Sequence, residues 1–312
     1  MEFFKRNLQI DFMGKRGLMA AVLATLIAIS LGSLIFRGLK LGLDFTGGTL
    51  IEAGYNNPVD LGAVRAALAD GGFQDAVVQN FGSSRDVLVR LAPRQGEDSA
   101  EVSSHVLAAL QKATTDQVNM RRVEYVGSQV GNELIEKGSL AMLFALIGIL
   151  IYVALRFEWR FSLGALLATV HDALFTVGFF SVFRVEFDLT VLAAVLAVIG
   201  YSLNDTIVVF DRIRENFRRM RTDSVPDVMN ASINQTLSRT IMTSATTMLV
   251  VIALYFLGGP AVHGFALALI VGIMIGTVSS IYVASPLALW LGVTRRNMIP
   301  VAKTDGRVDQ RP

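Results

Sequence analysis

Six long apolar stretches divide the chain, and each reaches or nearly reaches the ~20 residues that an α-helix needs to cross a bilayer core. The first follows Lys15 and Arg16, is longer than a signal-peptide core, and is closed by no small-residue cleavage site. The pattern therefore predicts six transmembrane helices, of which the first is an uncleaved anchor. We place them at Leu18–Phe36, Leu140–Leu155, Ser162–Phe183, Leu189–Phe210, Thr240–Leu257 and Val262–Leu291.

Residues 37–138, between the first two stretches, have the pattern of a soluble domain. Alternating positions predict strands, and apolar residues at helical spacing predict helices. The predicted strands are Gly48–Tyr55, Asp75–Asn80, Asp86–Leu91 and Gln117–Val126, and the predicted helices are Val59–Asp70 and Ser99–Lys112. This β-α-β-β-α-β order is that of ferredoxin-like domains.

The composition agrees with a membrane protein. Apolar residues make up 53% of the 312, charged residues only 17%, and the mean hydropathy is +0.52. Soluble domains carry about a quarter charged residues. Cysteine is absent, which excludes disulfides and thiolate metal sites. No phosphate-binding Gly-x-x-x-x-Gly-Lys-Ser/Thr motif occurs, so any work that the protein does must come from an ion gradient.

The positions of lysine and arginine predict the orientation, because short cytoplasmic connections are enriched in them. The side that carries the termini has many, whereas the short connections on the opposite side have only Arg184. We therefore expect cytoplasmic tails at 1–17 and 292–312, a cytoplasmic loop at 211–238, and an exported domain at 37–138. The residues that decide this are Lys5, Arg6, Lys15, Arg16, Arg156, Arg160, Arg212, Arg214, Arg218, Arg219, Arg221, Arg295, Arg296, Lys303, Arg307 and Arg311.

Asp205 is the most informative single residue, because it lies inside the fourth apolar stretch. A charged and unpaired carboxylate there costs several kcal/mol, so such residues face a bundle interior, a partner or water. Spanning the membrane does not require it, and it points to ion or proton handling. The alternative is a structural carboxylate that pairs without titrating.

Arg239 opens the fifth stretch and is the natural partner of Asp205, since the two stretches are joined on one side. It could instead extend to water at the membrane surface. Arg239 shares a helical face with other polar residues, and this polar stripe could line a water path or bond backbone carbonyls and neighbouring helices. The stripe also contains Thr236, Thr240, Thr243, Ser244, Thr246 and Thr247, of which Thr243 and Thr247 are candidates for a supporting relay or for packing.

Three further polar residues lie inside predicted spans. Asn204 is a candidate for interhelical hydrogen bonding or for support of a relay. His171 and Asp172 form an ionisable pair in the third span, which again suggests function. Because adjacent positions on a helix do not face the same way, we expect one to bond another helix and the other to line a cavity.

Four segments resemble the SecD/SecF family of export proteins. Leu43–Thr49 (Leu-Asp-Phe-Thr-Gly-Gly-Thr) resembles its D-F-x-G-G signature, and Gly200–Asn216 resembles the fourth-span motif of SecF. Leu237–Ser244 is similar to the opening of the fifth span, and Arg156–Phe161 to the loop after the second. The match covers essentially the whole chain in order and spacing, and it is to SecF alone.

This resemblance implies a half-unit of the RND type in the bacterial inner membrane. SecF-type proteins work with SecD beside the SecYEG channel, with YajC and YidC as further candidate partners, and help to pull unfolded preproteins outward. They use the proton gradient, although some relatives could use sodium. The resemblance matches Asp205 to the proton-transporting aspartate and Arg239 to an arginine near that proton.

The resemblance further implies contact with the lipid membrane, no cofactor, no nucleic-acid partner and no enzymatic activity. The signature residues Asp44, Phe45, Gly47 and Gly48 are expected to form a structural turn from the first span into the first strand, since glycine permits unusual backbone angles.

Two other functions compete with this reading. An RND-like small-molecule exporter would normally carry two large exported domains and twelve spans in one chain, whereas this sequence predicts half of that. A non-transporting scaffold of a translocase is the third possibility, and intramembrane Asp205 and Arg239 argue against it. In either transporting case, the chain needs a partner.

The predicted orientation can be tested with reporter fusions. A reporter fused after Arg122 should be active outside the cytoplasm, and reporters fused after Arg221 and Arg311 should be active within it. A reporter after Arg221 that is found outside would overturn the whole arrangement.

Overall fold

The computed structural model of the protein describes residues 9–93, 99–112, 114, 117–220 and 223–294. Six of the described helical segments are long and apolar enough to span a membrane, which agrees with the six predicted spans. Some residues behind the predicted orientation lie outside the described ones, namely Lys5, Arg6, Arg221, Arg295, Arg296, Lys303, Arg307 and Arg311.

The helices and strands follow one another from the first span through a small sheet to the five remaining spans. In chain order they are α1 (Arg16–Arg37), β1 (Lys40–Leu41), α2 (Leu43–Thr46), β2 (Gly48–Gly54), α3 (Leu61–Asp70), β3 (Val77–Phe81), β4 (Ser83–Leu91), α4 (Ser99–Lys112), β5 (Asn119–Val126), α5 (Ser128–Arg156), α6 (Trp159–Val182), β6 (Glu186–Phe187), α7 (Leu189–Arg219), α8 (Val225–Leu257), α9 (Pro260–Ser279) and α10 (Ser285–Trp290).

A π-helical turn at Ser280–Ala284 joins α9 to α10, so that the sixth span is one continuous helical path. We name this stretch the π turn. Such turns insert an extra residue into the helix and change the direction in which the following side chains point.

The helix of the second span begins at Ser128, whereas hydropathy placed its start at Leu140. The predicted domain limit at residue 138 therefore falls within α5. The first turns of α5 are polar, and Glu133 pairs with Lys137 one turn later on its exposed surface. Hydropathy marks only the part of a helix that suits hydrocarbon, and it does not detect this extension.

The predicted loop 211–238 is mostly helical. α7 continues to Arg219, and α8 already begins at Val225. Glu215 stabilises the end of α7 by pairing with Arg212 and with Arg219, each at 2.8 Å. Pairs at this spacing support a helix in water, so the charged sequence extends the two spans as helices rather than ending them.

The sheet domain, residues 48–126, contains a four-stranded antiparallel sheet in the order β3-β4-β2-β5. α3 and α4 cover one of its faces, and their apolar side chains share a core with those of the strands. The elements have the predicted β-α-β-β-α-β order, and the ferredoxin-like assignment stays an interpretation of that order. The most deeply buried members of this core include Ile51, Val64, Leu68, Val87, Val89, Val106 and Leu110.

The D-F-x-G-G signature forms the turn from the first span into the sheet, as the sequence predicted. Asp44 and Phe45 lie in the one-turn helix α2, and Gly47 and Gly48 follow it with φ of 69° and 120°. Residues with a side chain rarely adopt these angles. A Cβ on Gly48 would also lie only 2.1 Å from the carbonyl oxygen of Leu91 on β4, so the close approach of the two strands requires glycine.

The same turn is attached to the start of α7. The backbone N–H of Leu189 donates to Oδ2 of Asp44 at 2.8 Å. Beside this contact, β1 pairs in parallel with β6, the two-residue strand that directly precedes α7. Neither short strand was predicted, because two residues carry no periodic pattern. The segment between α1 and the sheet is thus joined to the start of the fourth span by strand pairing and by the Asp44 side chain.

Arg90 on β4 completes this junction. Its guanidinium pairs with Glu186 of β6 at 3.2 Å. It also donates to the carbonyl oxygen of Leu41 at 3.1 Å and to the hydroxyl of Thr46 at 3.2 Å. One side chain of the sheet domain therefore contacts β1, α2 and β6 together.

The six spanning segments are unequally buried within the chain. Within the most apolar part of each span, 50% of the residues are buried in α6, 56% in α7 and 50% in the sixth span. The buried share is only 11% in α1, 6% in α5 and 11% in α8. α6, α7 and the sixth span therefore form the centre of the bundle. α1, α5 and α8 present most of their surface to lipid or to another protein.

The residues before α1 are fastened to the polar beginning of α8. Asn234 accepts from the N–H of Ile10 at 2.9 Å, and Asn230 accepts from that of Phe12 at 2.8 Å. The N-terminal segment and the α7–α8 connection therefore lie at the same end of the bundle, opposite the sheet domain. This placement agrees with the predicted arrangement of sides.

Replacing Gly48 by alanine should destabilise the sheet domain by about 3 kcal/mol or more, because the backbone angle and the contact with Leu91 both oppose a side chain. The matched control is Gly72→Ala, where φ is also positive but no atom lies within 4 Å of the new Cβ, and about 1–2 kcal/mol is expected. Urea-dependent proteolysis of the purified full chain measures both. Equal losses for the two variants would contradict the requirement for close strand approach.

Candidate functional site

Asp205 lies on the buried face of α7 and is only 3% exposed. Its Oδ2 atom has no hydrogen-bond donor among the described residues. A buried carboxyl oxygen without a donor is costly when the group is charged. The structure therefore puts the predicted carboxylate inside the bundle and leaves one of its oxygens open to a proton or to a further group.

Arg239 lies on an exposed edge of α8 and does not form the direct ion pair with Asp205 that the sequence suggested. Its charge still acts on Asp205 through space, as an attraction. Within the described chain the two residues are thus electrostatic neighbours rather than hydrogen-bonded partners. A cation exposed within a spanning helix needs water or another protein beside it.

The threonine hydroxyls of α8 mostly bond their own helix. Thr243 donates to the carbonyl oxygen of Arg239 at 3.1 Å, and Thr247 donates to that of Thr243 at 3.0 Å. Of the alternatives that the sequence left open, backbone bonding is the one observed for these two. Thr240 differs, because its buried hydroxyl has no partner among the described residues.

Asn204 points away from the bundle and is exposed on α7. It continues a stripe of exposed small residues at Ala193, Ala197 and Gly200, spaced by three or four positions along one face. We call these four residues the small-residue face. A Cβ added to Gly200 would meet no atom within 4 Å, so this face has no neighbour in the described chain.

The second ionisable pair lies at the centre of the bundle. Asp172 on α6 is completely buried, and its Oδ1 contacts Nδ1 of His171 at 3.0 Å. The two adjacent side chains therefore do meet, although neighbouring helix positions were expected to face apart.

Asp172 also joins three helices. Its Oδ2 accepts from the hydroxyl of Ser279 at the end of α9 at 2.7 Å, and from the hydroxyl of Ser202 on α7. Bonding to other helices was expected for one member of the pair. The two serines were not identified from the sequence, since serine is common in spanning helices. Only Ser202 carried a signal in the sequence, namely its position three residues before Asp205.

Two glycines allow α7 and α9 to come this close. A Cβ on Gly272 would lie 2.1 Å from Val198, and one on Gly276 would lie 3.0 Å from the Cβ of Ser202. The Gly-x-x-x-Gly spacing of Gly272 and Gly276 thus serves packing within the bundle. The close contact of α7 and α9 is what lets Ser202 and Ser279 reach the same carboxylate.

Sequence comparisons identify the family of this bundle. The profile of the protein export membrane protein SecD/SecF C-terminal family matches residues 105–294, and that of the SecD/SecF GG motif matches residues 32–59. The chain belongs to the SecD/SecF family. The signature turn and the buried carboxyl of α7 therefore lie in the two segments that define this family.

Within the SecD/SecF family, the similar proteins are SecF subunits. The protein translocase subunit SecF of Vibrio alginolyticus is 54% identical over 92% of both chains. That of Pseudomonas aeruginosa is 53% identical over 97% of this chain and 98% of its own.

A solved structure has the same fold. The crystal structure of SecDF from Thermus thermophilus, a translocon-associated membrane protein, is 38% identical with a TM-score of 0.83 over 93% of this chain. The chain spans 39% of the length of that SecDF chain, so it corresponds to one part of SecDF.

Proposed function

We propose that this chain is the SecF-type subunit of a bacterial Sec protein-export machinery, and that it couples proton movement at Asp205 to motion of the sheet domain. The observation that carries the proposal is the buried Asp205 carboxyl, whose Oδ2 has no donor while the charge of Arg239 acts on it. No feature of helix packing requires such an arrangement.

The cycle has two states of Asp205. In one state the carboxyl is protonated and neutral, and in the other it is charged and balanced by Arg239 or by groups of a partner. The two charge states favour different packing of α7 against α8. A proton shifts this equilibrium only as far as its affinities for the two packings differ. One charge crossing the membrane supplies about 2.3 kcal/mol per 100 mV, so coupling several protons drives a conformational change.

The path from Asp205 to the sheet domain runs along a single helix. Asp205 lies on α7, and the first residue of that helix is held by Asp44. A tilt of α7 would act directly on α2 and β6, and through Arg90 on β4. The signature turn would then transmit movement, in addition to shaping the chain between span and sheet.

The proposed partner is SecD, bound mainly through α7. The small-residue face lacks a neighbour in the described chain and has the composition that lets two spanning helices approach closely. Exposed Asn204 and Arg239 would be unfavourable against lipid, and a partner helix would shield them. The wider context would be the SecYEG channel, with YajC and YidC as further candidates and unfolded preproteins as the cargo.

Changing Asp205 to asparagine keeps the shape and removes the titration, so the variant should fold and still abolish stimulation of export by the proton gradient. Arg239→Met should impair stimulation similarly. Asp211→Asn makes the same chemical change on an exposed residue of α7, and Arg218→Ala removes an exposed charge, so both should leave export unaltered. The measurement is preprotein transport into inverted membrane vesicles with and without a proton gradient. Undiminished stimulation in Asp205→Asn would return this residue to a structural role.

Placing a large side chain on the small-residue face should separate the two subunits. Gly200→Leu should reduce co-purification of the SecD-type partner at least about tenfold, because its side chain would occupy the space of the partner helix. Gly148→Leu on α5 is the matched control, since it too is exposed with no atom within 4 Å of its Cβ. Equal recovery of the partner with both variants would show that the interface lies elsewhere.

A further inference from the structure

Asp172 is the most enclosed ionisable group among the described residues of the bundle. It is 0% exposed, and its neighbour His171 has a side chain only 11% exposed. Three side chains bond the carboxylate: His171 through Nδ1, Ser279 through its hydroxyl, and Ser202 through its hydroxyl. The two hydroxyls donate to the carboxylate, and Nδ1 of His171 donates to it whenever that nitrogen carries a proton, so that three donors then stabilise its charged form.

The charge of Asp172 has one candidate counter-ion in direct contact. Within the part of the chain that the structure describes, no lysine or arginine pairs with Asp172, and His171 is the only basic group bonded to it. The pair is therefore electrically balanced when His171 carries a proton on both ring nitrogens. When His171 is neutral, the buried negative charge is balanced only by the dipoles of its hydrogen-bond donors, which is less favourable.

The second ring nitrogen of His171 is where a proton can enter or leave. Nδ1 is committed to Asp172, whereas Nε2 is buried without a hydrogen-bond partner among the described residues. An imidazole held by a carboxylate at one nitrogen is the usual arrangement of a group that exchanges a proton at the other. Leaving this polar atom buried and unpartnered costs about 1–3 kcal/mol, which binding of a proton donor or acceptor there would offset.

Ser202 connects this pair with the site on α7. Its hydroxyl bonds Asp172, and Asp205 follows three residues later, which places the two residues on neighbouring positions of one helix face. The π turn begins directly after Ser279 and holds that hydroxyl against Asp172 from the other side. π turns within helices are frequent at functional sites.

We propose that the His171–Asp172 pair is a second proton-binding site, which takes a proton from water at Nε2 of His171 and is coupled to the charge of Asp205. The step adds one proton to the imidazole and forms the ion pair with Asp172, and release reverses it without any other bond changing. The proposal rests on the proposed role of Asp205, because the Asp205 carboxyl supplies a neighbouring charge that changes in the same proton cycle.

Few other titratable groups lie on the elements packed against α6. α7 carries Tyr201 beside Asp205, the π turn carries Tyr282, and α5 carries Tyr152. The other charged groups of α6 and of these elements lie towards the helix ends, away from the middle of the bundle, and so does His263. They are Arg16, Arg37, Glu133, Glu136, Lys137, Arg156, Arg160, Asp211, Arg212, Arg214, Glu215, Arg218 and Arg219.

Histidine NMR tests the proposal directly, because the chain has only three histidines. The full chain, labelled with ¹⁵N-histidine, is placed in lipid nanodiscs alone and with the unlabelled SecD-type partner. His171→Asn assigns the signal, and exposed His105 and His263 serve as internal references. We expect the Nε2 signal of His171 to change reversibly with pH while Nδ1 keeps its hydrogen bond to Asp172.

Coupling is measured by repeating the titration in two variants. Asp205→Asn should shift the midpoint of His171 by about one pH unit, the scale of interacting sites, whereas Asp211→Asn should leave it unchanged. Ser202→Ala, which removes a donor from Asp172, should also shift it and serves if Asp205→Asn does not purify as a folded protein. An imidazole fixed in one protonation state, a midpoint unaffected by these changes, or a signal that follows sodium at constant pH would overturn the proposal.

The outcome is separable from that of the proposed function. If export by Asp205→Asn loses its gradient stimulation while His171 does not titrate, the second site is wrong and the role of Asp205 stands. If that export keeps its stimulation, the role of Asp205 is wrong whatever the NMR titration gives.

Discussion

The interior of the bundle depends on one constraint: a polar group in a hydrocarbon layer must find its partners inside the protein. Asp172 meets this constraint with donors from its own helix, from α7 and from the end of α9. Those donors reach it only because Gly272 and Gly276 bring α9 against α7. The position of the sixth span, the π turn and the buried face of α7 are therefore linked through a single carboxylate.

Asp205 lies on the same buried face of α7 as Ser202, but its surroundings differ from those of Asp172. The bundle gives Asp172 a full set of donors and leaves an oxygen of Asp205 without one. In the proposed cycle, this asymmetry separates a carboxylate that is held, Asp172, from a carboxylate that changes its charge, Asp205. Because Asp44 and Arg90 fasten the start of α7 to the sheet domain, a change at Asp205 has a mechanical route out of the membrane.

The sequence predicted most of the fold because its signals are local. Apolar length marks the six spans, and strict alternation marks β2 to β5, which the sheet contains within a few residues of their predicted limits. The predictions failed where the signal is weak. The start of α5 is a polar helix, which hydropathy does not detect, and β1 and β6 are too short to show a period.

By itself, the sequence determined that Asp205, Arg239, His171 and Asp172 lie in spanning segments, because a charged residue stands out against an apolar stretch. It also predicted a turn at Gly47 and Gly48, since glycine permits unusual backbone angles. Only the tertiary structure decided that Asp172 bonds Ser202 and Ser279, that Arg239 lies on an exposed edge, and that Asp44 holds the start of α7. Contacts between helices depend on how each helix is rotated and how closely it packs, and no local pattern encodes that rotation.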